Sequence, residues 1–126
     1  MIPRSLYTQQ APEPIGPYSQ AMECGDLIFI SGQIPIDPKS GEIVGRTTPE
    51  QTLQVMNNLK AILSGVSLGV EALVKTTVFL KRMEDFPLFN QVYLQELHKA
   101  APARSVVEVS SLPKGVLVEI EAIASR

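Results

Sequence analysis

The first third of the chain combines a proline-rich start with apolar residues spaced as in β-strands. Four of the ten prolines lie in residues 1–17, which predicts extended or turned backbone with RSLYT as an edge strand. The segments Tyr18–Glu23 and Asp26–Gln33 are also predicted strands, and both alternating residue sets of DLIFISGQ are apolar. We therefore expect this last strand to be buried on both faces, with a turn at DPKSGE after it.

Two segments further on have the apolar spacing of α-helices that pack on a core. The first is predicted to begin at a T-x-x-Q capping box formed by Thr48 and Gln51, with Pro49 at the first helical position, and to end near Gly65. The second is predicted to begin at Asp85, as its N-cap, and to stop before Pro102. The apolar stripes are Leu53, Met56, Leu59, Leu63 and Val66 in the first helix, and Phe86, Phe89, Tyr93 and Leu97 in the second.

Three more segments alternate as strands, namely residues 72–82, 104–109 and 116–123. In the last of them, Val118 and Ile120 face one side of the sheet, whereas Glu119 and Glu121 face the other. The elements follow one another without repeats or low-complexity linkers. The pattern predicts a single α+β domain over residues 1–126.

The predicted sheet has one face that its helices cannot cover. Two helices, each roughly 10 Å wide, span only one side of a sheet whose strands lie about 4.8 Å apart. A solvated second face would be polar. Apolar residues are expected on both sides, however, because the helices cannot cover all of them, namely one of the pairs Ile28/Ile30 and Leu27/Phe29, together with Phe79 and the pair Leu117/Ile123. We therefore expect self-association to cover this face.

Composition narrows the classes of function. Apolar residues make up 44% and charged residues 19% of the chain, as in globular proteins. A net charge of −2 without clustered basic residues argues against nucleic acid as a partner. No apolar run is long enough to span a bilayer, the start lacks the apolar core of a signal peptide, and Cys24 is the only cysteine. The expected location is the cytoplasm, with an organelle not excluded.

Metal and cofactor chemistry find little support in the sequence. His98 and Cys24 are each the only residue of their type, and no paired Cys or His spacing typical of a metal site occurs. The glycine-containing segments GPYSQ, SGQ and KSGE lack the spacing of phosphate-binding loops. We expect no metal and no bound cofactor.

The charged residues of the two C-terminal strands are the candidates for a functional site. If solvent surrounds them, Arg104, Glu119 and Glu121 are ordinary surface charges. Glu119 and Glu121, however, share a face with Leu117 and Ile123, which self-association is expected to bury, and an unpaired buried carboxylate is costly. Arg104 could pair with one of these glutamates or hold an acidic ligand through its two-pronged guanidinium. The residues alone indicate a site for a small molecule that carries a carboxylate, and go no further.

Four segments resemble recurrent blocks of the reactive intermediate deaminase A (RidA) family. They are IGPYSQA, ISGQIPIDPKSGEIV, VKTTVFLKRMEDFPLFNQVY and PARSVVEVSSLPKGVLVEIEAIA, and they occur in the order found in the family. Together they extend over nearly the whole chain. Several independent blocks at compatible spacing are far more specific than a single short motif.

The resemblance implies a chorismate-mutase-like α+β fold, with a mixed sheet, two helices on one face, and a homotrimer built around a central barrel with ligand sites between subunits. It implies hydrolysis of reactive enamines and imines, such as 2-aminoacrylate and 2-aminocrotonate, to 2-keto acids and ammonia without metal or cofactor. Arg104 would hold the substrate carboxylate and Glu119 would activate the hydrolytic water. The remaining lining residues implied by the motifs are Tyr18, Ser31, Gly32 and Asn90.

Of two departures from the family pattern, the first is expected to change reactivity or redox sensitivity through loss of a thiol, and the second to affect substrate preference. Many relatives have cysteine where this chain has Val106, and phenylalanine where it has Ala101. The second difference is expected to loosen the cleft or the helix packing beside Arg104. Two other functions stay open: an endoribonuclease that inhibits translation, against which the acidic charge balance argues, and a regulatory trimer that binds small carboxylates without turnover.

Overall fold

Alternating apolar residues build a six-stranded sheet in the computed structural model, which describes residues 2–126. The strands are β1 (Arg4–Leu6), β2 (Ala21–Cys24), β3 (Leu27–Gln33), β4 (Leu73–Leu80), β5 (Ala103–Glu108) and β6 (Val118–Ser125). Their order in the sheet is β1-β2-β3-β6-β4-β5, and every pair is antiparallel except β4 and β5. The sheet is therefore mixed.

Two α-helices, α1 (Thr48–Ser64) and α2 (Phe86–Leu97), pack on one face of this sheet. Helix α2 is the crossover between the parallel strands β4 and β5, which a hairpin could not connect. The core lies between the helices and the sheet, where alternate strand residues meet the apolar stripes of both helices. Its fully buried members include Ile28, Val78, Leu80, Val118 and Ile120 from the strands and Val55, Met56, Leu59 and Phe89 from the helices. The predicted α+β fold with two helices and about six strands is confirmed.

The start of α1 differs by one residue from the prediction. Thr47, not Thr48, is the N-cap, because its side chain accepts a hydrogen bond from the Glu50 N–H while the Glu50 carboxylate accepts one from the Thr47 N–H. Thr48 is buried, and its hydroxyl donates to Asp85 at 2.8 Å. Asp85 is at the N-cap position of α2 but makes no capping bond there. Its carboxylate joins the starts of the two helices instead.

Several apolar residues are more exposed than the sequence pattern predicts. Leu53 is 44% exposed, since it lies at the border of the α1 stripe. Val74 is exposed because the register between β4 and β6 shifts between Leu73 and Lys75, which interrupts the alternation of β4. Among the apolar residues of β3, Ile28 and Ile30 are buried, whereas Leu27 and Phe29 are 40% and 43% exposed, so burial of this strand on both faces is wrong for the single chain.

The face of the sheet opposite the helices is partly apolar. Phe29 of β3 pairs with Ile123 of β6, and Phe79 of β4 pairs with Glu119 of β6 and Val107 of β5. Phe29 and Val107 are both more than two fifths exposed. We call this surface the open face. No helix within residues 2–126 is long and apolar enough to cross a bilayer.

Candidate functional site

Arg104 and Glu119 lie on opposite faces of the sheet. Thr76 of β4 is opposite Arg104 of β5 on one side and opposite Ala122 of β6 on the other. Thr76 and Ala122 are buried beneath the helices, so Arg104 belongs to the helix-covered face. Glu119 pairs with Phe79 of β4, which lies three residues after Thr76 and therefore on the other face of the strand. Glu119 thus lies on the open face. A contact between Arg104 and a glutamate of β6, which the sequence left open, is therefore not made within one chain.

The Arg104 guanidinium is held by helix α2. Its Nη1 donates a hydrogen bond of 2.7 Å to Oδ1 of Asn90. Its central carbon lies 4.9 Å from the centre of the Tyr93 ring and 5.4 Å from that of Phe86, within the range of cation–π attraction. No carboxylate within residues 2–126 forms an ion pair with it. The group is thus oriented while keeping donors available for an anion.

Tyr93 supports this arrangement from behind. Its hydroxyl and that of Thr76 form a buried hydrogen bond of 2.6 Å, and its ring packs against Phe89 with the ring centres 5.3 Å apart. Because both ends of the Tyr93 side chain are fixed, the ring is a rigid support for the guanidinium. Sequence reasoning placed Tyr93 and Phe86 only in the core stripe. The signal that could have shown their second role is helical spacing, since residues 86, 90 and 93 lie on one side of a helix.

A hollow beside Arg104, which we call the arginine hollow, encloses about 350 Å³. Its polar residues are Arg104, Asn90 and Tyr93, and the rest of its wall is apolar. The apolar wall consists of Leu94, Leu97, Ala100, Ala101 and Pro102.

A second hollow on the open face, the glutamate hollow, encloses about 600 Å³. It brings together four of the residues that the motifs implied. They are Tyr18, Ser31, Gly32 and Glu119. Its wall also includes Ile15, Ile34, Pro113, Lys114 and Glu121, of which only Glu121 is a candidate from the sequence. The implied residues are therefore divided between two hollows, with Asn90 and Arg104 in the first and the others in the second.

Gly32 gives the Glu119 side chain its room. A Cβ atom at position 32 would lie 2.0 Å from Oε2 of Glu119, which is far inside van der Waals contact. The neighbouring register of β3 and β6 is irregular between Ile30 and Gln33, so β3 bulges where the carboxylate passes. Any residue other than glycine would have to displace this carboxylate.

Glu119 is electrostatically unlike an ordinary surface carboxylate. Partial burial, and to a smaller degree the negative charge of Glu121, raise its pKa above the usual value. Among residues 2–126 no hydrogen bond to its carboxylate offsets these effects, since both causes act in the same direction. The group is consequently suited to taking up and giving back a proton closer to neutral pH.

The remaining wall of the glutamate hollow is fixed by local hydrogen bonds. The Ser31 hydroxyl donates to the Ser19 carbonyl at 2.6 Å, and the Ser31 N–H donates to the Gln20 carbonyl at 2.9 Å. The Tyr18 hydroxyl accepts a hydrogen bond from the Ile15 N–H at 3.2 Å, and Tyr18 is about half exposed. The tyrosine can therefore donate its own proton to a ligand.

The backbone before Tyr18 is positioned by a buried side chain. Gln20 accepts a hydrogen bond from the Thr8 N–H and donates to the carbonyls of Thr8, Ala11 and Pro12. It thereby fixes the N-terminal segment across the sheet edge, next to the hollow.

Comparison with known proteins places this geometry in a family. The family described as Endoribonuclease L-PSP matches residues 8–126. A RutC family protein of Pyrococcus horikoshii is 54% identical over 121 residues, 96% of each chain.

Two solved structures have the same fold. TdcF of E. coli with bound serine is 44% identical with a TM-score of 0.92, over 98% of both chains. RidA from the Antarctic bacterium Psychrobacter sp. PAMC 21119 is 37% identical with a TM-score of 0.93, over 98% of this chain and 99% of that one. Sequence and structure therefore agree over nearly the whole length. The chain belongs to the Endoribonuclease L-PSP family, in which RidA and RutC proteins are its relatives.

Proposed function

We propose that this protein hydrolyses 2-imino acids and their enamine tautomers, such as 2-aminoacrylate and 2-aminocrotonate, to 2-keto acids and ammonia. The observation that carries the proposal is an oriented guanidinium without an acidic partner, together with a glutamate of raised pKa on the other face of the sheet. The first group suits a carboxylate and the second suits proton transfer to and from water. The family's implied activity needs both.

Arg104 binds the substrate carboxylate. Asn90 occupies one guanidinium nitrogen, and the rings of Tyr93 and Phe86 hold the plane of the group. The nitrogens that remain can donate two parallel, charge-assisted hydrogen bonds to a carboxylate, which are stronger than hydrogen bonds between neutral groups. Binding through the carboxylate fixes the neighbouring C2 atom, where the reaction takes place.

Glu119 handles the protons. In its protonated form it delivers a proton to C3 of the enamine, which converts the C2=C3 bond to the imine. The resulting carboxylate then takes a proton from water as the water oxygen bonds to C2, and returns it to the nitrogen. As the C2–N bond breaks and ammonia leaves, the carboxylate takes the proton of the C2 hydroxyl, which leaves the C2=O bond of the keto acid. The steps consume one water and regenerate the protonated glutamate. No covalent intermediate with the protein and no redox partner is needed.

The complete site is proposed to form between subunits of a homotrimer. Arg104 and Glu119 lie on opposite faces of one sheet, so one small substrate reaches both only if the two residues come from different copies. The apolar residues of the open face support association through that surface, since Phe29 and Val107 are otherwise left in water. The bound serine in the E. coli relative supports a ligand with an α-carboxylate and an α-nitrogen.

Release of 2-keto acid from a serine or threonine dehydratase reaction tests the proposal. Purified protein should accelerate release when the dehydratase is in excess. Arg104→Ala should abolish the acceleration through weaker binding, and Glu119→Ala should abolish turnover while keeping affinity for a 2-keto acid. Absence of acceleration by the wild type at stoichiometric amounts would refute the deaminase.

The family's description names a ribonuclease, so the same preparation should be incubated with RNA. Cleavage of RNA that Glu119→Ala abolishes, without any effect on imines, would favour the ribonuclease. Binding of keto acids without either activity would favour the regulatory trimer.

A further inference from the structure

The arginine hollow has the form of a pocket for an apolar side chain. Ala100, Ala101 and Pro102 form one part of its wall and Leu94 and Leu97 of α2 form another. At about 350 Å³ it lies at the lower end of the range of small-molecule sites, and it is far larger than a methyl or ethyl group requires. The wall contains no charged residue except Arg104.

We propose that this hollow selects substrates with a large aliphatic side chain, of the size derived from leucine, over those derived from alanine or serine. The inference rests on the proposed function, because Arg104 must hold the substrate carboxylate for the side chain to reach the hollow. In this arrangement the carboxylate lies on the guanidinium and the substituent at C2 points along the apolar wall. Leu94, 58% exposed in the single chain, then loses water contact when the substrate binds.

Ala101 determines the size limit of this pocket. It lies in the loop between α2 and β5, three residues before Arg104, and its methyl side chain is exposed. A large residue at this position would extend over the wall and take the volume that the substrate side chain needs. Because Ala101 is not buried in the core, replacing it should leave the fold intact.

The test compares the affinities of two stable product analogues, 4-methyl-2-oxopentanoate and pyruvate, by calorimetry. The wild type should bind the larger acid at least about 10-fold more tightly, since a single added methylene in a fitting apolar pocket is worth roughly 10- to 200-fold. Ala101→Phe should reduce the ratio to about one or below. Leu94→Ala, which removes wall instead of filling the pocket, should reduce it several-fold. Leu88→Ala is the matched control, because Leu88 is a half-exposed leucine of the same helix that does not line the hollow, and it should leave the ratio unchanged.

A wild-type ratio near one, or a ratio that Ala101→Phe leaves unchanged, would overturn the inference. A side chain of a second copy filling the hollow would give the first of these results. An amino acid oxidase generates the imines of leucine and alanine, and their hydrolysis rates separate failure of the pocket inference from failure of the proposed function. If the protein accelerates hydrolysis of neither imine but the binding ratio behaves as stated, the proposed deaminase activity fails and the specificity of the pocket stands. If both imines are hydrolysed and alanine's is preferred, the deaminase stands and the inference fails.

Discussion

The arginine hollow and the glutamate hollow hold their charged residues in opposite ways. Arg104 is clamped by an amide and two aromatic rings, and its charge is permanent. Gly32 leaves room for the Glu119 side chain, and partial burial beside Glu121 raises the pKa of Glu119. In the proposed mechanism, binding and proton transfer therefore have different structural needs. A binding charge benefits from rigid support, whereas a proton-transfer group benefits from a raised pKa and an open approach.

The division of the site between two faces gives the prediction with the largest effect. Arg104→Ala and Glu119→Gln should each lower kcat/KM by about 10²- to 10⁴-fold. Trimers assembled from an equal mixture of the two variants should regain about a quarter of wild-type activity, because one copy supplies the arginine and its neighbour the glutamate at that fraction of sites. The measurement is imine hydrolysis after the two variants are unfolded and refolded together.

A control for mixing uses the double variant Arg104→Ala/Glu119→Gln refolded with wild type at the same ratio. Its trimers contain the same number of altered residues, and about a quarter of their sites remain intact when the site spans two copies. If the site lies within one chain, the mixed single variants should recover nothing while the mixture of double variant and wild type keeps half of its activity.

Gly32→Ala tests how the glutamate hollow is built. The added Cβ must push away the Glu119 carboxylate, and a displacement of about 1 Å at a reacting group can cost up to about 100-fold in rate. We expect kcat to fall at least about 10-fold, while the free energy of unfolding changes by no more than about 1 kcal/mol, because the end of a flexible side chain can move. Gly65→Ala is the control, since Gly65 has a helical φ of −61° and should leave kcat unchanged. An unaltered kcat in Gly32→Ala would show that the carboxylate position does not limit the reaction.

Asn90 tests the support of the arginine. Asn90→Ala leaves the guanidinium stacked on two rings, so we expect a rise in KM of several-fold with a small effect on kcat. Asn90→Asp places a carboxylate 2.7 Å from Nη1 and satisfies the guanidinium internally, so KM should rise further, by about 10-fold. Steady-state kinetics with one imine measures both variants. Equal KM values for Asn90→Asp and the wild type would contradict a role for Arg104 in holding the substrate.

The smallest effect concerns the pH dependence of stability. The pKa of Glu119 is raised above the ordinary 4.5 in the folded chain, so at pH values between the unfolded and the folded pKa the folded chain binds more protons than the unfolded chain. Its contribution to stability is therefore present below the unfolded pKa and is lost as the pH rises through the folded pKa. Relative to wild type, Glu119→Gln should gain free energy of unfolding over this window and then level off. Denaturant unfolding at a fixed protein concentration measures the difference.

Glu121→Gln tests whether burial or the charge of Glu121 controls the pKa of Glu119. Glu121 is the smaller cause of the raised pKa, so its neutralisation should narrow the pH window without closing it. A window that closes entirely would mean that repulsion, and not burial, controls Glu119.

Local sequence patterns account for most of the secondary structure. The alternation of β6 is enough to place Glu119 and Glu121 on one face of the sheet and Val118 and Ile120 on the other, because side chains in a strand alternate regardless of what surrounds them. The stripe of α2 likewise predicted burial of Phe89, Tyr93 and Leu97. Exact ends were less determined: Thr47 and Thr48 both suit an N-cap. In the structure the reciprocal hydrogen bonds with Glu50 select Thr47, whereas Thr48 bonds to Asp85, 37 residues away.

The family motifs single out candidate site residues, but not where these residues lie relative to one another in the folded chain. Pairing of β5 with β4 in a parallel register decides that Arg104 lies under helix α2, and no local pattern contains that register. The support of Arg104 by Tyr93, the space that Gly32 leaves for Glu119, and the apolar wall around Ala101 all join segments distant in sequence. The strands, the helices and the identity of the candidate charged residues can be read from the sequence, because they follow from local spacing and side-chain type. The placement of Arg104 and Glu119 on opposite faces appears only in the folded chain, because strand order and register arise from packing across the whole sheet.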